Sequence, residues 1–335
     1  MPGASLGCDM PGPEVTIAIP LYNGAETIGE TLESVLAQSF GDTEVVVLDD
    51  GSTDGSLDVV ACYDDPRLRV LRYENRGLAH NFNRCILEAR GRFMKIVPQN
   101  DLLHPDHVAE LAKLLRESPR PALAFCRRRV LYDECDPWSV EWVSIHAVLE
   151  EVLEPLKPLN DGAALLRRWC DAGMLHRNCI GEPIAALFST ALAREIGGFS
   201  SVVAQNLDFA LWIRLMVRGD VGYSPRVLST FRLHDGSASR RHASGSRRFW
   251  EDLVLFEEIA RDKRVTATLP ELQRMMGREQ RKLLAQKWKR RLLPWQDHEP
   301  LGSHPGLPAS GLARPADWHH RPHRQERADQ FKNFA

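Results

Sequence analysis

No two of the seven cysteines stand in a C-x-x-C spacing, and their number is odd. They lie at positions 8, 62, 85, 126, 135, 170 and 179, mostly among apolar neighbours. That argues for buried reduced thiols and against a disulfide framework or a zinc site. Excess charge is lacking as well. The net formal charge of the 335-residue chain is -2, so no global field points to nucleic acid. No apolar run approaches the roughly 20 residues that a membrane helix needs. The opening stretch, MPGASLGCDMPGPE, has neither a basic start nor an apolar core, so it does not read as a secretory signal, and a cytoplasmic protein is expected. A G-x-x-x-x-G-K-[ST] loop and a G-x-G-x-x-G are both missing, which speaks against Walker-type and Rossmann dinucleotide sites.

What is present is an ordinary globular composition, 43% hydrophobic and 26% charged, on a chain long enough for a large core. The first third alternates short β-like runs with helical periods. VTIAIP, EVVVLDD, RLRVLRY and RFMKIV read as strands. The near-continuous apolarity of the second suits a parallel strand covered on both faces. Between them, Ile28, Leu32, Val35 and Leu36 share one helical face, and Leu78, Phe82, Cys85, Ile86 and Ala89 share another. This βαβα order predicts an α/β fold with a mostly parallel sheet flanked by helices. Beyond Pro119 the regularity fades. ALAFCRRRVLY and GEPIAALFST are β-like, LDFALWIRLMVRG is helical, and VGYSPRVLSTFRLHDGSAS reads as strand then loop. A helical extension, very basic from Lys282 to Arg291, precedes a tail from Pro294 rich in Pro, Gly, His and Arg.

In an open parallel sheet, ligands bind beyond the carboxyl ends of the strands. Four polar turns share that edge here: IPLYNGAE, LDDGSTDGS, YENRGLAHN and VPQND. Singly, each reads as a strand end, a turn or a helix cap. Their order and spacing are what carry a functional meaning.

Taken together, the four turns resemble the inverting A-type glycosyltransferases of family two. The match runs through Pro20, Leu21, Tyr22 and Asn23, then Glu26, then D-D-G-S-T-D from Asp49 to Asp54, then Asn75, Gly77 and Asn83. It continues through NCIGEP, GGF, LDFALWIRL and FRLHDGSAS and spans roughly Val15 to Ser239. The resemblance implies a GT-A-like catalytic domain over 15–240, with a nucleotide-sugar half at 15–118 and an acceptor half at 119–240. Residues 241–293 would then be the basic helical extension, and 294–335 an irregular tail. It also implies a nucleotide-sugar donor, a UDP-sugar by preference. Pro20, Tyr22 and Glu26 would line the nucleoside pocket, with Asp50 at the base edge. Ser52, Gly77, Asn81, Asn83, Gln99 and Asn100 complete the implied donor contacts. Asp49 reads as structural. Phe82 stands where relatives carry a basic residue.

Where the family carries D-x-D, this chain has Pro98, Gln99 and Asn100, followed by Asp101. By resemblance, a divalent cation (Mn²⁺ or Mg²⁺) would assist the diphosphate. Asn100, Asp101 and His234 are its candidate ligands, with a weak or conditional requirement because hard cations prefer carboxylates. Inversion at an anomeric carbon needs a base, and Asp208 in LDFALW is the candidate by the same resemblance. Placed at a helix start, it is expected to be ionised at neutral pH. Glu182 is a candidate contact to the acceptor or sugar. Leu211 and Trp212 are assigned to the core. The expected activity is transfer of a sugar to a hydroxyl or amine of a saccharide or small-molecule acceptor, in polysaccharide assembly or natural-product glycosylation. The alternative is a catalytically impaired nucleotide-sugar-binding partner subunit. The basic stretch Lys282 to Arg291 would lie on an anionic surface, the inner membrane face or a partner protein, or form a solvated helix face.

Overall fold

Among the described residues nine strands form one sheet, and the reason is visible in the first of them. Strand β1 (Val15–Leu21) is buried at every position. Its residues alternate between two cores: Ala18 enters one, while Val15, Ile17, Ile19 and Leu21 enter the other. β2 (Thr43–Asp49) divides likewise, Val46 and Leu48 against Val45 and Val47. A strand covered on both faces is apolar at successive positions, which explains the unbroken hydrophobic runs.

The computed structural model describes residues 12–132, 136–145, 155–173, 178–203, 206–233 and 246–270. His234, the basic stretch 282–291 and the tail 294–335 lie outside the described residues. The described residues all fall in one compact unit, Met1–Gly277.

The remaining strands are β3 (Leu68–Arg72), β4 (Phe93–Ile96), β5 (Leu102–Leu103), β6 (Pro121–Leu131), β7 (Leu159–Asp161), β8 (Ala186–Ser189) and β9 (Asp220–Arg232). Their order is β3-β2-β1-β4-β8-β6-β9-β5, with β7 also on β9. β3, β2, β1 and β4 run parallel, as do β6 and β9. β8 runs antiparallel to both β4 and β6 and joins the two parallel groups. β5 and β7 are antiparallel to β9. The expected mostly parallel sheet flanked by helices is therefore present, with β8 as an antiparallel seam.

On one face lie helices α1 (Ile28–Leu36), α2 (Ser56–Val60) and α4 (His107–Glu117), which contribute Ile28, Leu32, Val60 and Leu111 to the core. The other face is covered by α3 (Leu78–Glu88), α6 (Gly162–Asp171), α7 (Thr190–Ile196) and α8 (Leu207–Met216). α5 spans Pro137–Ile145. Two further helices, α9 (Ser246–Arg261) and α10 (Lys263–Thr268), add Leu255, Ile259 and Val265 to that same core. Arg218 on the turn after α8 bonds Asp262 at 2.8 Å, which fixes the start of α10. Phe188, Phe199 and Trp212 form an edge-on aromatic cluster beneath α8. Trp212 and Leu211 are thus core residues. Among the described residues, no helix is long and apolar enough to cross a membrane.

Register brings the carboxyl ends together. Leu21 pairs with Asp49, and Asp49 pairs with Arg72. Asp50 N–H donates to Leu21 O at 2.8 Å, and Val97 N–H to Ala18 O at 2.9 Å. The four polar turns therefore meet at one edge of the sheet.

Candidate active site

The β1 and β2 turns are locked to each other by side chains. The fully buried Asp49 accepts Ser52 N–H through both carboxylate oxygens, at 3.1 and 3.2 Å. Ser52 Oγ accepts Asn23 N–H at 2.9 Å, and Asn23 Oδ1 accepts Thr53 N–H at 2.8 Å. Asp49 is structural, as expected. Ser52 holds the β1 turn and leaves its own hydroxyl proton available. Pro20 is buried, Glu26 is exposed, and Tyr22 presents 48% of its surface.

Gln99 reaches across from the end of β4. Its Oε1 accepts Tyr22 N–H at 2.7 Å and its Nε2 donates to Tyr22 O at 3.0 Å. This two-point clamp sets the angle at which Tyr22 leaves the sheet. Gly24 must be glycine for the clamp to close, since a Cβ there would lie 2.6 Å from the Gln99 amide.

Asp50 is also buried, and its carboxylate is wrapped. It accepts Gly77 N–H at 2.9 Å, Arg76 N–H at 3.1 Å and Arg84 Nη1 at 2.7 Å. Gly77 is the N-cap of α3 with φ +86°, a conformation that favours glycine. The β2 and β3 ends thereby share one carboxylate. Arg84 also covers the Tyr73 ring, 4.5 Å from its centroid.

The amides expected to face a donor are engaged inside the fold. Asn83 Nδ2 donates to Phe199 O and its Oδ1 accepts Phe199 N–H, at 2.9 and 2.8 Å. Asn81 is buried, with Nδ2 on Leu48 O at 2.9 Å. Asn81, Asn83 and Gln99 each spend part of their hydrogen-bonding capacity on these bonds, which fix their side chains inside the fold. Phe82 is buried and packs edge-on to Phe199, so this position supplies core rather than charge.

Asn100 Nδ2 donates to Arg232 O at 3.2 Å, and Asp101 Oδ1 accepts Arg232 N–H at 2.8 Å. Asp101 has no solvent exposure and its Oδ2 lacks a partner. Burial, opposed by the Arg232 N–H bond, pushes its pKa well above the usual carboxylate range. Among the described residues no three His, Cys, Asp or Glu side chains could share a metal ion. A divalent cation needs several oxygen ligands, at least one of them ionised and reachable. The described residues here do not fit that need. They offer one neutral amide oxygen and one sealed carboxyl group.

Opposite this turn stand two carboxylates from the other half of the sheet. Glu182 precedes a 3₁₀ turn at Pro183–Ala185 and pairs with the nearly sealed Arg128 of β6. Asp208 lies in the first turn of α8 and is only 9% exposed. Asn178 links them: its Nδ2 donates to Asp208 Oδ2 at 2.9 Å and to Gly181 O at 3.1 Å, while its Oδ1 accepts Gly181 N–H at 3.1 Å. Trp212 Nε1 also donates to Gly181 O, at 3.0 Å. Asp208 and Trp212, one helical turn apart, thus grip the same loop. Desolvation first, and the Glu182 charge second, raise the Asp208 pKa to about 7. The helix start and the Asn178 bond pull the other way and are outweighed. An ionised Asp208 at all neutral pH values, the expectation from the helix dipole alone, is corrected accordingly.

Under both halves sits Lys95 of β4, fully buried, donating to the carbonyls of Pro183, Ile184 and Ala186. Burial lowers its pKa to about 7. Arg84, Arg128 and Lys95 belong to no motif, and Asn178 enters only as the first residue of NCIGEP. A lysine inside the apolar strand FMKIV was the one visible signal, because an isolated charge in a strand core requires a dedicated partner set.

Comparison with known proteins follows this geometry. Residues 16–177 match the family described as Glycosyl transferase family 2. An uncharacterized Mycobacterium tuberculosis protein is 33% identical over 237 residues, covering 70% of this chain and 72% of that protein. The succinoglycan biosynthesis protein ExoO of Rhizobium meliloti is 39% identical over 100 residues, 30% of this chain and 29% of that protein. A Rickettsia felis protein named as an uncharacterized glycosyltransferase is 24% identical, over 68% of this chain but only 36% of its own length. Among solved structures, S. aureus TarS residues 1–349 with UDP-GlcNAc superposes with a TM-score of 0.57 at 19% identity, covering 73% of this chain and 66% of that one. The mannosyltransferase PcManGT of Pyrobaculum calidifontis, in complex with GDP-Man and Mn²⁺, gives 0.55 at 21%, covering 88% and 77%. At these identities the structural likeness establishes the GT-A fold.

Proposed function

The chain belongs to glycosyl transferase family 2 and is a glycosyltransferase, and from this premise we propose that it moves a sugar from a nucleotide-sugar donor to an acceptor hydroxyl or amine with inversion at the anomeric carbon. A UDP-sugar is the first choice of donor, because TarS, a protein of like fold, binds UDP-GlcNAc. A saccharide or small-molecule acceptor follows from the same reading, in polysaccharide assembly or natural-product glycosylation.

One observation carries the mechanism. Asp208 is a nearly buried carboxylate with a pKa of about 7, fixed by Asn178 at a helix start. A base tuned to ambient pH is what general base catalysis uses best. The Asp208 carboxylate takes the proton from the acceptor O–H or N–H. The freed electron pair forms the new bond to the anomeric carbon, and the bond from that carbon to the diphosphate oxygen breaks with its electrons leaving on the nucleoside diphosphate. Glu182, held by Arg128, lies on the side of the acceptor or sugar and keeps the Asp208 pKa raised. Tyr22, set by the Gln99 clamp, and the Asp50–Gly77 junction border the nucleoside. A divalent ion, when bound, would supply Lewis-acid assistance to the leaving diphosphate. At the β4 turn the residue that would hold it is Asn100, through its side-chain oxygen. A peripheral contact through residues 282–291 belongs to this reading as a secondary proposal.

The test is direct. A panel of UDP- and GDP-sugars is incubated with the protein and simple acceptors, nucleoside diphosphate release is followed, and the product's anomeric configuration is read by NMR. Inversion with turnover supports the reading. Tight nucleotide-sugar binding without release would favour the impaired partner subunit, and a retained configuration would reject the mechanism.

A further inference from the structure

The turn at the end of β4 has its polar groups accounted for one by one. Gln99 clamps the Tyr22 main chain. Thr31 Oγ1 on α1 donates to the carbonyls of Gln99 and Asp101, at 2.8 and 3.1 Å. Asp101 is sealed against the main chain of Arg232, and Asn100 gives its N–H to the carbonyl of that same residue. Among the described residues of the turn, the uncharged side-chain oxygen left to face a ligand is Asn100 Oδ1. Besides Tyr22, the turn holds Arg232, gripped at both its N–H and its carbonyl and paired in register with Leu131 of β6.

The Arg232 side chain leaves this grip toward α1. Its Nη2 pairs with Glu30, and the two side chains are 23% and 36% exposed. A half-exposed ion pair of this kind is weak and readily exchanged. A guanidinium presents a planar fork of donors that matches two phosphate oxygens at once. Its charge also acts on Asp101, as does that of the buried Lys95. The Arg232 guanidinium is thus a permanent cation beside the turn, whereas the Lys95 amine is spent on the carbonyls of Pro183, Ile184 and Ala186.

We infer that Arg232 is the cation that binds the diphosphate of the donor, exchanging Glu30 for phosphate oxygens, and that binding needs no divalent metal. This rests on the nucleotide-sugar reading above. Glu30 is the placeholder that keeps the guanidinium extended along α1 while the site is open. Asn100 is the position that sets the preference. A carboxylate there would add a reachable anion beside the diphosphate and make a divalent ion favourable again.

The experiment is calorimetric titration of UDP and GDP into the full chain, in EDTA and in Mn²⁺, for the wild type and for Arg232→Gln, Arg232→Lys and Asn100→Asp. The wild-type Kd is expected to be the same in both buffers. Arg232→Gln should weaken it about tenfold to a hundredfold, the worth of one or two charge-assisted hydrogen bonds, with Arg232→Lys in between. Asn100→Asp should bind more tightly in Mn²⁺ than in EDTA. A melting curve accompanies each variant. If Arg232→Gln does not fold, the wild-type comparison and Asn100→Asp still decide. Wild-type affinity that is lost in EDTA, or an Arg232→Gln protein that folds and binds UDP normally, would overturn the inference alone. Absence of binding by either nucleotide in both buffers would overturn the donor reading and this inference with it.

Discussion

Replacing Asp208 by Asn should do two opposite things at once. The carboxyl group has a pKa of about 7 in the folded protein against an ordinary 3.8. Between those values the native state keeps a proton that the unfolded chain has lost. Stability therefore falls as pH rises from about 4 to about 7 and stays low above it. The two pKa values differ by about 3, and at about 1.36 kcal/mol each the ionised group costs the native state about 4 kcal/mol at pH 8. Asn has the same shape and can accept the Asn178 bond, but carries no charge to desolvate. Asp208→Asn should therefore be more stable than wild type at pH 8, with 4 kcal/mol as the ceiling, and no more stable near pH 4.

Even about 1 kcal/mol of this is about 2–4 °C in Tm for a domain of this size class. Turnover should move the other way, down by about 10²–10⁴-fold for a lost general base, while nucleotide affinity stays near wild type. The assay is a pair of melting curves at the two pH values beside single-turnover release of nucleoside diphosphate. A variant that turns over normally, or one whose Tm difference from wild type is the same at pH 4 and pH 8, would refute the assignment of Asp208 as a buried, neutral-pH base.

Because the base is active when ionised, kcat/KM for the wild type should rise with pH through about 7 and level off. Glu182→Gln removes the like charge and should move that limb to lower pH, whereas Asn178→Ala removes a bond to the carboxylate and should move it higher; full pH profiles of the folded variants check both directions. Gln99→Ala deletes both bonds to the Tyr22 main chain, so stability should drop by about 1–3 kcal/mol in urea titration, with a higher KM for the donor and little change in kcat. Gly181 has φ +96° and a Cβ there would lie 2.9 Å from the Arg128 guanidinium; Gly181→Ala should cost about 1–3 kcal/mol by denaturation and also shift the pH limb, because Arg128 can no longer hold Glu182 in place.

The parts of this protein that were legible in its sequence are those governed by neighbours along the chain. Apolar runs and helical periods placed β1 to β4, α1 and α3, and the polar turns at the strand ends placed the site at one sheet edge. Leu211 and Trp212 were legible because a residue between apolar partners has few options. The amides were not. Asn83 meets Phe199, Gln99 meets Tyr22, and Asn178 meets Asp208. Each pair is joined by tertiary packing, and no local spacing encodes it. The same holds for charge. Asp208 at a helix start looks ionised from its local dipole, yet it is buried, and its neighbours Asn178 and Glu182 come from another segment. Those distant terms reverse the sign. A motif match therefore locates a functional group well and describes its chemical state poorly. At this site the difference matters most at the β4 turn, where the motif position promises a metal and the side chains present instead assemble around an arginine. The chemistry of such a turn is set by which of its oxygens remain reachable once the fold has taken its share, and among the described residues of this turn Asn100 supplies that oxygen.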